Sequence, residues 1–122
     1  MKNLIALSLI TLAFLNTANA QQKILPPSQQ FTESSEFQNI KQRYSQCALT
    51  KALEFSQVTD LDTAFKYAPT ACRRDLLQIK KMLIGGPYKM DVIDQLVESV
   101  QEGVEIDMVN YVLREKLKQL NK

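Results

Sequence analysis

"CALTKALEFSQVTDLDTAFKYAPTAC", residues 47 to 72, begins and ends with the only two cysteines of the 122-residue chain. Apolar residues recur at steps of three and four before, within and after this stretch. That spacing predicts two α-helices, from about residue 33 to 58 and from about residue 60 to 84. The apolar positions are Phe37, Ile40, Tyr44, Cys47, Ala48, Ala52 and Phe55, then Leu61, Ala64, Phe65, Ala68, Ala71, Cys72, Leu76, Ile79 and Leu83.

A short connection at residues 58 to 60 separates the two helices, and it indicates an antiparallel hairpin. Cys47 lies 11 residues before Val58, and Cys72 lies 12 residues after Asp60. Both cysteines therefore sit roughly 17 Å from the turn, on the apolar faces, and we expect them to form a disulfide. A redox pair is the alternative, but that role normally needs close spacing and an activated thiolate. Small alanines along the seam would let the helices approach closely, namely Ala48, Ala52, Ala64, Ala68 and Ala71.

Local signals mark the ends of these helices. Ser35 with Gln38 matches a capping box at the start of the first helix, and Asp60 is an N-cap type at the start of the second. Pro69 lies inside the second apolar pattern, which keeps its phase across the proline. We therefore expect a kinked helix, or two helices that meet near Ala68.

The rest of the chain predicts two further helices. The sequence Gly85-Gly86-Pro87 should end the hairpin, with a third helix from about 91 to 102 that Gly103 ends, and a fourth from about 106 to 120. The rival is a strand at "VEIDMV", residues 104 to 109. The apolar positions are Ile93, Leu96, Val97 and Val100, then Ile106, Val109, Val112, Leu113, Leu117 and Leu120. The predicted fold is all-α: a disulfide-linked hairpin packed by two further helices, in one domain over residues 32 to 122.

The N-terminus has the pattern of an export signal. Lys2 precedes a mostly apolar run of residues 4 to 15, and Ala18-Asn19-Ala20 is a small-x-small cleavage site. We expect cleavage after Ala20, no stable insertion in a membrane, and a periplasmic or secreted product, where disulfides persist. Residues 21 to 31, which include Pro26-Pro27, should form a flexible or extended arm.

Charge and residue types narrow the chemistry. The chain has 15 basic and 13 acidic residues, so a nucleic acid is not an expected partner. It has no histidine, which removes the commonest general base and most zinc sites. The closest acid pairs, Asp60 with Asp62 and Asp91 with Asp94, are explained by helix capping. We therefore expect no catalytic residue, no metal, no cofactor and no enzymatic activity.

One charge pattern is a candidate for recognition. Residues 91 to 107 contain six acids and no lysine or arginine. Asp91, Asp94, Glu98 and Glu102, called here the acidic row, share one helical face. This row is either a solvated face, paired with the basic cluster of Arg73-Arg74 and Lys80-Lys81, or a surface for a basic partner protein. Tyr88, in the loop before it, is either a contact residue or packed against the domain.

The motifs "YxxCxxxKAxE", from Tyr44 to Glu54, and "AxxAC", from Ala68 to Cys72, resemble small exported bacterial proteins of uncharacterised function. The resemblance implies a disulfide-linked helical hairpin and no activity. The general design is similar to that of periplasmic immunity proteins against type VI secretion amidases. It is also similar to that of periplasmic acid-stress chaperones, whose cysteines are much further apart.

Two functions remain open from the sequence. The first is a non-enzymatic binding protein of the cell envelope, such as an inhibitor or immunity protein that acts on a partner protein. The second is an envelope stress chaperone of the small disulfide-linked helical type. The sequence leaves both a monomer and a homodimer open.

Overall fold

The computed structural model describes residues 27 to 122, and all regular structure in that range is helical. The predicted all-α fold is confirmed, and the rival strand at residues 104 to 109 is part of a helix. The predicted signal peptide and residues 21 to 26 of the predicted arm lie outside the described residues. The helices are α1 (Pro27–Thr32), α2 (Ser35–Ser56), α3 (Leu61–Ala71), α4 (Arg73–Ile84) and α5 (Met90–Leu120).

The first long helix, α2, packs against α3, and a disulfide links the two helices at the C-terminal end of α3, as predicted. The Cys47–Cys72 disulfide joins α2 to the residue between α3 and α4, with the Cα atoms 5.9 Å apart. That separation lies in the usual range for a disulfide. Cys72 is only 1% exposed, so the link crosses the buried seam of the hairpin.

Both hairpin helices begin at a side-chain cap. The N-cap of α2 is Ser34, one residue earlier than predicted, and its Oγ accepts a hydrogen bond from the Phe37 N–H at 3.2 Å. Gln38 does not complete a capping box, because its side chain donates to the Thr32 carbonyl at 2.7 Å. Asp60 caps α3, accepting from the Thr63 N–H at 2.8 Å.

The interruption near Pro69 falls later than predicted. Pro69 lies inside α3, which continues to Ala71, and the helix axis breaks at Cys72 rather than near Ala68. Cys72 has φ −103° and ψ 15°, and its N–H donates to the Pro69 carbonyl at 3.1 Å. This tighter i to i−3 bond ends α3, and α4 starts at the next residue. The two helices keep their apolar faces in phase, so α4 still contributes to the core.

The core lies where the hairpin, α4 and α5 meet. Ala48, Ala52, Ala64 and Ala68 are fully buried, which permits the close approach that the sequence predicts. Ala71 is exposed, contrary to the prediction, because its side chain lies about 100° around the helix from that of the buried Cys72. The buried cluster consists of Phe37, Tyr44, Ala48, Ala52, Ala68, Cys72, Ile79, Leu83, Ile93, Val104, Met108 and Val112.

Two predicted boundaries are wrong. Residues 27 to 31 of the predicted arm belong to α1, whose first residue is Pro27. Proline is well suited to that position because its missing N–H has no helical partner there. The third and fourth predicted helices are one helix of 31 residues, α5, which runs through Gly103. A glycine inside a helix costs about 1 kcal/mol relative to alanine, which the packing of α5 offsets.

Candidate protein-binding surface

The outer side of α5 carries the acidic row in its first half. Asp91, Asp94, Glu98 and Glu102 are all exposed and follow one another at steps of three and four. Asp94 forms an ion pair with Lys80 of α4, with Nζ and Oδ1 3.1 Å apart. Within residues 27 to 122, Asp91, Glu98 and Glu102 form no ion pair, so the row keeps most of its charge available for another molecule.

Tyr88 does not extend this row. It is partly buried and belongs to the layer of side chains packed against the core. Its ring meets Phe31 of α1 edge to face, with ring centroids 5.6 Å apart. The structure thus brings the four carboxylates together on one face and uses Tyr88 to hold α1 against the domain.

The second half of the same face is apolar, and sequence reasoning missed its exposure. Four of its side chains are exposed: Ile106 by 62%, Leu113 by 41%, Leu117 by 59% and Leu120 by 79%. With the partly buried Val109 they form the outer apolar row, which continues the acidic row because Ile106 follows Glu102 by four residues.

The sequence predicts that the outer apolar row packs on the core, but α5 has a second apolar face there. Val112 of the predicted stripe is buried, and Val104 and Met108, which the prediction did not include, fill the core beside it; each of the three is at most 3% exposed. Periodicity alone could not distinguish the two faces, since both have helical spacing. The sequence does contain one signal of this ambiguity: the segment has two separate sets of apolar residues at helical spacing, so one of them must be exposed.

An open groove of about 690 Å³ lies between the N-terminal part of α2 and the middle of α5. Phe37, Leu96 and Val104 form its apolar wall, while Lys41 and Asp107 are among its polar lining residues. No polar side chain among those lining it is buried. The groove therefore combines an apolar wall with exposed or half-buried polar side chains.

On the other side of α5, a cavity of about 370 Å³ separates it from α3 and α4. Lys66, Arg73 and Lys80 lie on the α3 and α4 side, opposite Glu105 of α5. This arrangement places basic residues on the α3 and α4 side of α5, while the acidic row lies on its solvent side.

Among residues 27 to 122 the fold shifts the pKa of two ionisable side chains, Tyr44 and Asp60. Burial, helped by the negative charge of Glu105, raises the pKa of Tyr44 to about 12. Its side chain is fully buried, and within the described residues its hydroxyl has no hydrogen-bond partner. The hydrogen bond from the Thr63 N–H lowers the pKa of Asp60. Both effects follow from packing and capping, and neither group lies in the groove.

Two further searches concern ligands and membranes. Across residues 27 to 122 no three cysteine, aspartate or glutamate side chains cluster as metal ligands would. In the same range no helix combines the length and apolar character that crossing a bilayer requires. Comparisons of the chain with protein-family models, with curated proteins and with solved structures found no match.

Proposed function

We propose that this chain is a non-enzymatic binding protein of the bacterial cell envelope, of the inhibitor or immunity type, that captures a partner protein with a basic surface. The observation that carries the proposal is the acidic row, with three carboxylates on α5 that have no ion-pair partner in the described part of the chain. A periplasmic or secreted location is part of the proposal, and the disulfide supports it.

The physical basis is electrostatic complementarity on a rigid element. Four exposed carboxylates along about three turns of one helix create a local negative potential in a chain whose net charge is only +2. Such a patch accelerates encounter with a basic surface and rejects acidic ones. The groove beside α5 adds an apolar wall against which a partner side chain could pack.

The test is capture of envelope proteins by the exported, oxidised protein. The variant Glu98→Lys/Glu102→Lys should lose a stoichiometric partner that the wild type retains. The matched control is Glu36→Lys/Glu54→Lys, which makes the same charge change at exposed positions of α2. Equal loss in both variants, or retention in both, would contradict a specific role for the acidic row.

The site of processing can be checked on the same material. The mass of the exported protein should correspond to residues 21 to 122 with an intact disulfide. A product that keeps residues 1 to 20 would contradict the proposed export and cleavage.

A chaperone is the second candidate, and the outer apolar row is the observation that favours it. Its exposed side chains could hold unfolded clients. This function predicts many weakly bound proteins after acid treatment and suppression of client aggregation at low pH. A single partner held at neutral pH, and no such suppression, would eliminate it.

A further inference from the structure

We propose that the outer apolar row is the interface of a homodimer, in which α5 of one copy packs antiparallel against α5 of a second copy. This inference is independent of the proposed partner capture, since it uses the second half of α5. Isolated exposed apolar residues are normal on a protein surface. Here Ile106, Leu113, Leu117 and Leu120 are exposed on the same face of a single helix, where a contiguous apolar patch marks an interaction site.

The spacing of the row is self-complementary. Its residues, at 106, 109, 113, 117 and 120, follow one another at steps of three, four, four and three. The order is the same in both directions, with Leu113 at the centre. In an antiparallel pair Leu113 faces Leu113 of the second copy, and Ile106 faces Leu120 of the second copy. A two-fold axis requires this relation, in which each residue contacts its counterpart reciprocally.

Charge selects the antiparallel direction. Residues 114 to 122 carry four bases, Arg114, Lys116, Lys118 and Lys122, and one acid, Glu115. In the antiparallel register these residues lie beside residues 104 to 112 of the second copy, which contain two acids and no base. A parallel pair would instead place the two basic ends together, and flanking charges set helix orientation in such pairs.

The first test is the oligomeric state of the exported protein by sedimentation equilibrium from about 1 to 100 µM, the range in which a modest interface dissociates. The wild type should be a dimer at the upper end. Leu113→Glu should raise the dissociation constant by at least about 100-fold, because the change occurs twice at the centre of the interface. The control Leu77→Glu changes a leucine of similar exposure on α4 and should leave the dimer intact.

The second test is cross-linking, which shows whether the two α5 helices pack antiparallel or parallel. Because the native chain has no free cysteine, each added cysteine supplies the free thiol. Leu113→Cys should form a disulfide-linked dimer on mild oxidation. Ile106→Cys and Leu120→Cys should cross-link with each other when mixed, whereas each alone should not. In the antiparallel register the two copies of position 120 lie roughly 21 Å apart along the helices.

The outcomes separate the occupants of the row. A monomer at all concentrations overturns the proposal, as does a monomer that binds anionic vesicles through the row. Cross-linking of Leu120→Cys with itself overturns the antiparallel arrangement. Loss of the dimer in Leu113→Glu with the partner still captured would leave the proposed function standing, and the reverse result would leave the dimer standing.

Discussion

The hairpin of α2 and α3 and the long helix α5 are stabilised in different ways. The hairpin has a capping side chain at each N-terminus, fully buried alanines along its seam and a disulfide across it. In contrast, α5 has no side-chain cap at its N-terminus, a glycine in its middle and four buried residues in 31. The hairpin is therefore specified mostly by its own residues, while α5 depends on the surface that the hairpin and α4 offer it.

The disulfide is the largest single difference between the two regions, and removing it gives the largest expected effect. Reduction, or Cys47→Ser/Cys72→Ser, should lower the free energy of unfolding by about 3 to 4 kcal/mol, because the unfolded chain loses a constraint on its Cys47–Cys72 loop. Urea denaturation followed by circular dichroism measures the change. An unchanged midpoint would mean that packing alone holds the hairpin.

The two faces of α5 should respond very differently to the same truncation. Met108→Ala should cost about 3 kcal/mol, since Met108 is 1% exposed and its removal leaves a cavity. Ile106→Ala, two residues away but 62% exposed, should change monomer stability by less than about 0.5 kcal/mol. Both are measured by denaturation of dilute protein. Similar costs at the two positions would contradict the assignment of faces.

The same contrast explains what the sequence could predict. The hairpin has one apolar face per helix, so spacing, cysteine position and the 58 to 60 turn identified its helices and its disulfide. In α5 the sequence offers two apolar faces, and only the position of α2 and α4 decides which one is buried. Gly103 was predicted to end a helix because glycine is frequent at helix ends, but no local residue could reveal that α5 continues beyond it.

The features of the candidate site also divide into those that the sequence predicts and those that depend on how the helices pack. The acidic row was predictable because helical spacing and absence of nearby bases are properties of the sequence alone. The sequence predicts that the acidic row pairs with the basic cluster of residues 73 to 81, but only the packing of α4 against α5 identifies Lys80 as the partner of Asp94. The packing of Tyr88 on Phe31 depends on α1, which the sequence did not predict.

Helix caps provide a smaller test of the comparison. Ser34→Ala should lower stability by about 1 kcal/mol, because the Phe37 N–H loses its acceptor. At the N-cap of α5, Lys89→Asp should raise stability by up to about 1 kcal/mol, since that position lacks a side-chain cap. Thermal denaturation should show a lower melting temperature for Ser34→Ala and a higher one for Lys89→Asp. A loss of stability in Lys89→Asp would mean that this helix end is not limited by capping.

The glycine inside α5 offers a change of similar size and favourable sign. Gly103→Ala should raise stability by about 0.5 to 1 kcal/mol, because alanine loses less backbone entropy in a helix. A Cβ at this position would have no atom within 4 Å from outside its own helix, so no clash opposes the gain. The control Gly86→Ala should not be stabilising, since its Cβ would lie 3.0 Å from the Phe31 ring. Destabilisation by Gly103→Ala would show that α5 needs flexibility there.

The smallest effect at neutral pH is expected at Tyr44, which lies in α2 and senses the charge of Glu105 on α5. Tyr44→Phe removes a buried hydroxyl that has no hydrogen-bond partner among residues 27 to 122. The substitution should therefore leave neutral stability unchanged or raise it by less than about 1 kcal/mol.

The difference should grow in alkali. The folded pKa of Tyr44 is about 12, above its ordinary 10.0, so the stability linked to its proton is complete below about pH 10 and is lost as pH rises toward 12. Tyr44→Phe should remove that part of the decline, and it should also remove the highest step in an absorbance titration of the tyrosines. Tyr67→Phe, at an exposed position, should leave that step in place. If the highest step survived in Tyr44→Phe, it would belong to another tyrosine. The hydroxyl of Tyr44 in the wild type would then be accessible to water, and the contact between α2 and α5 would be looser than the burial of Tyr44 requires.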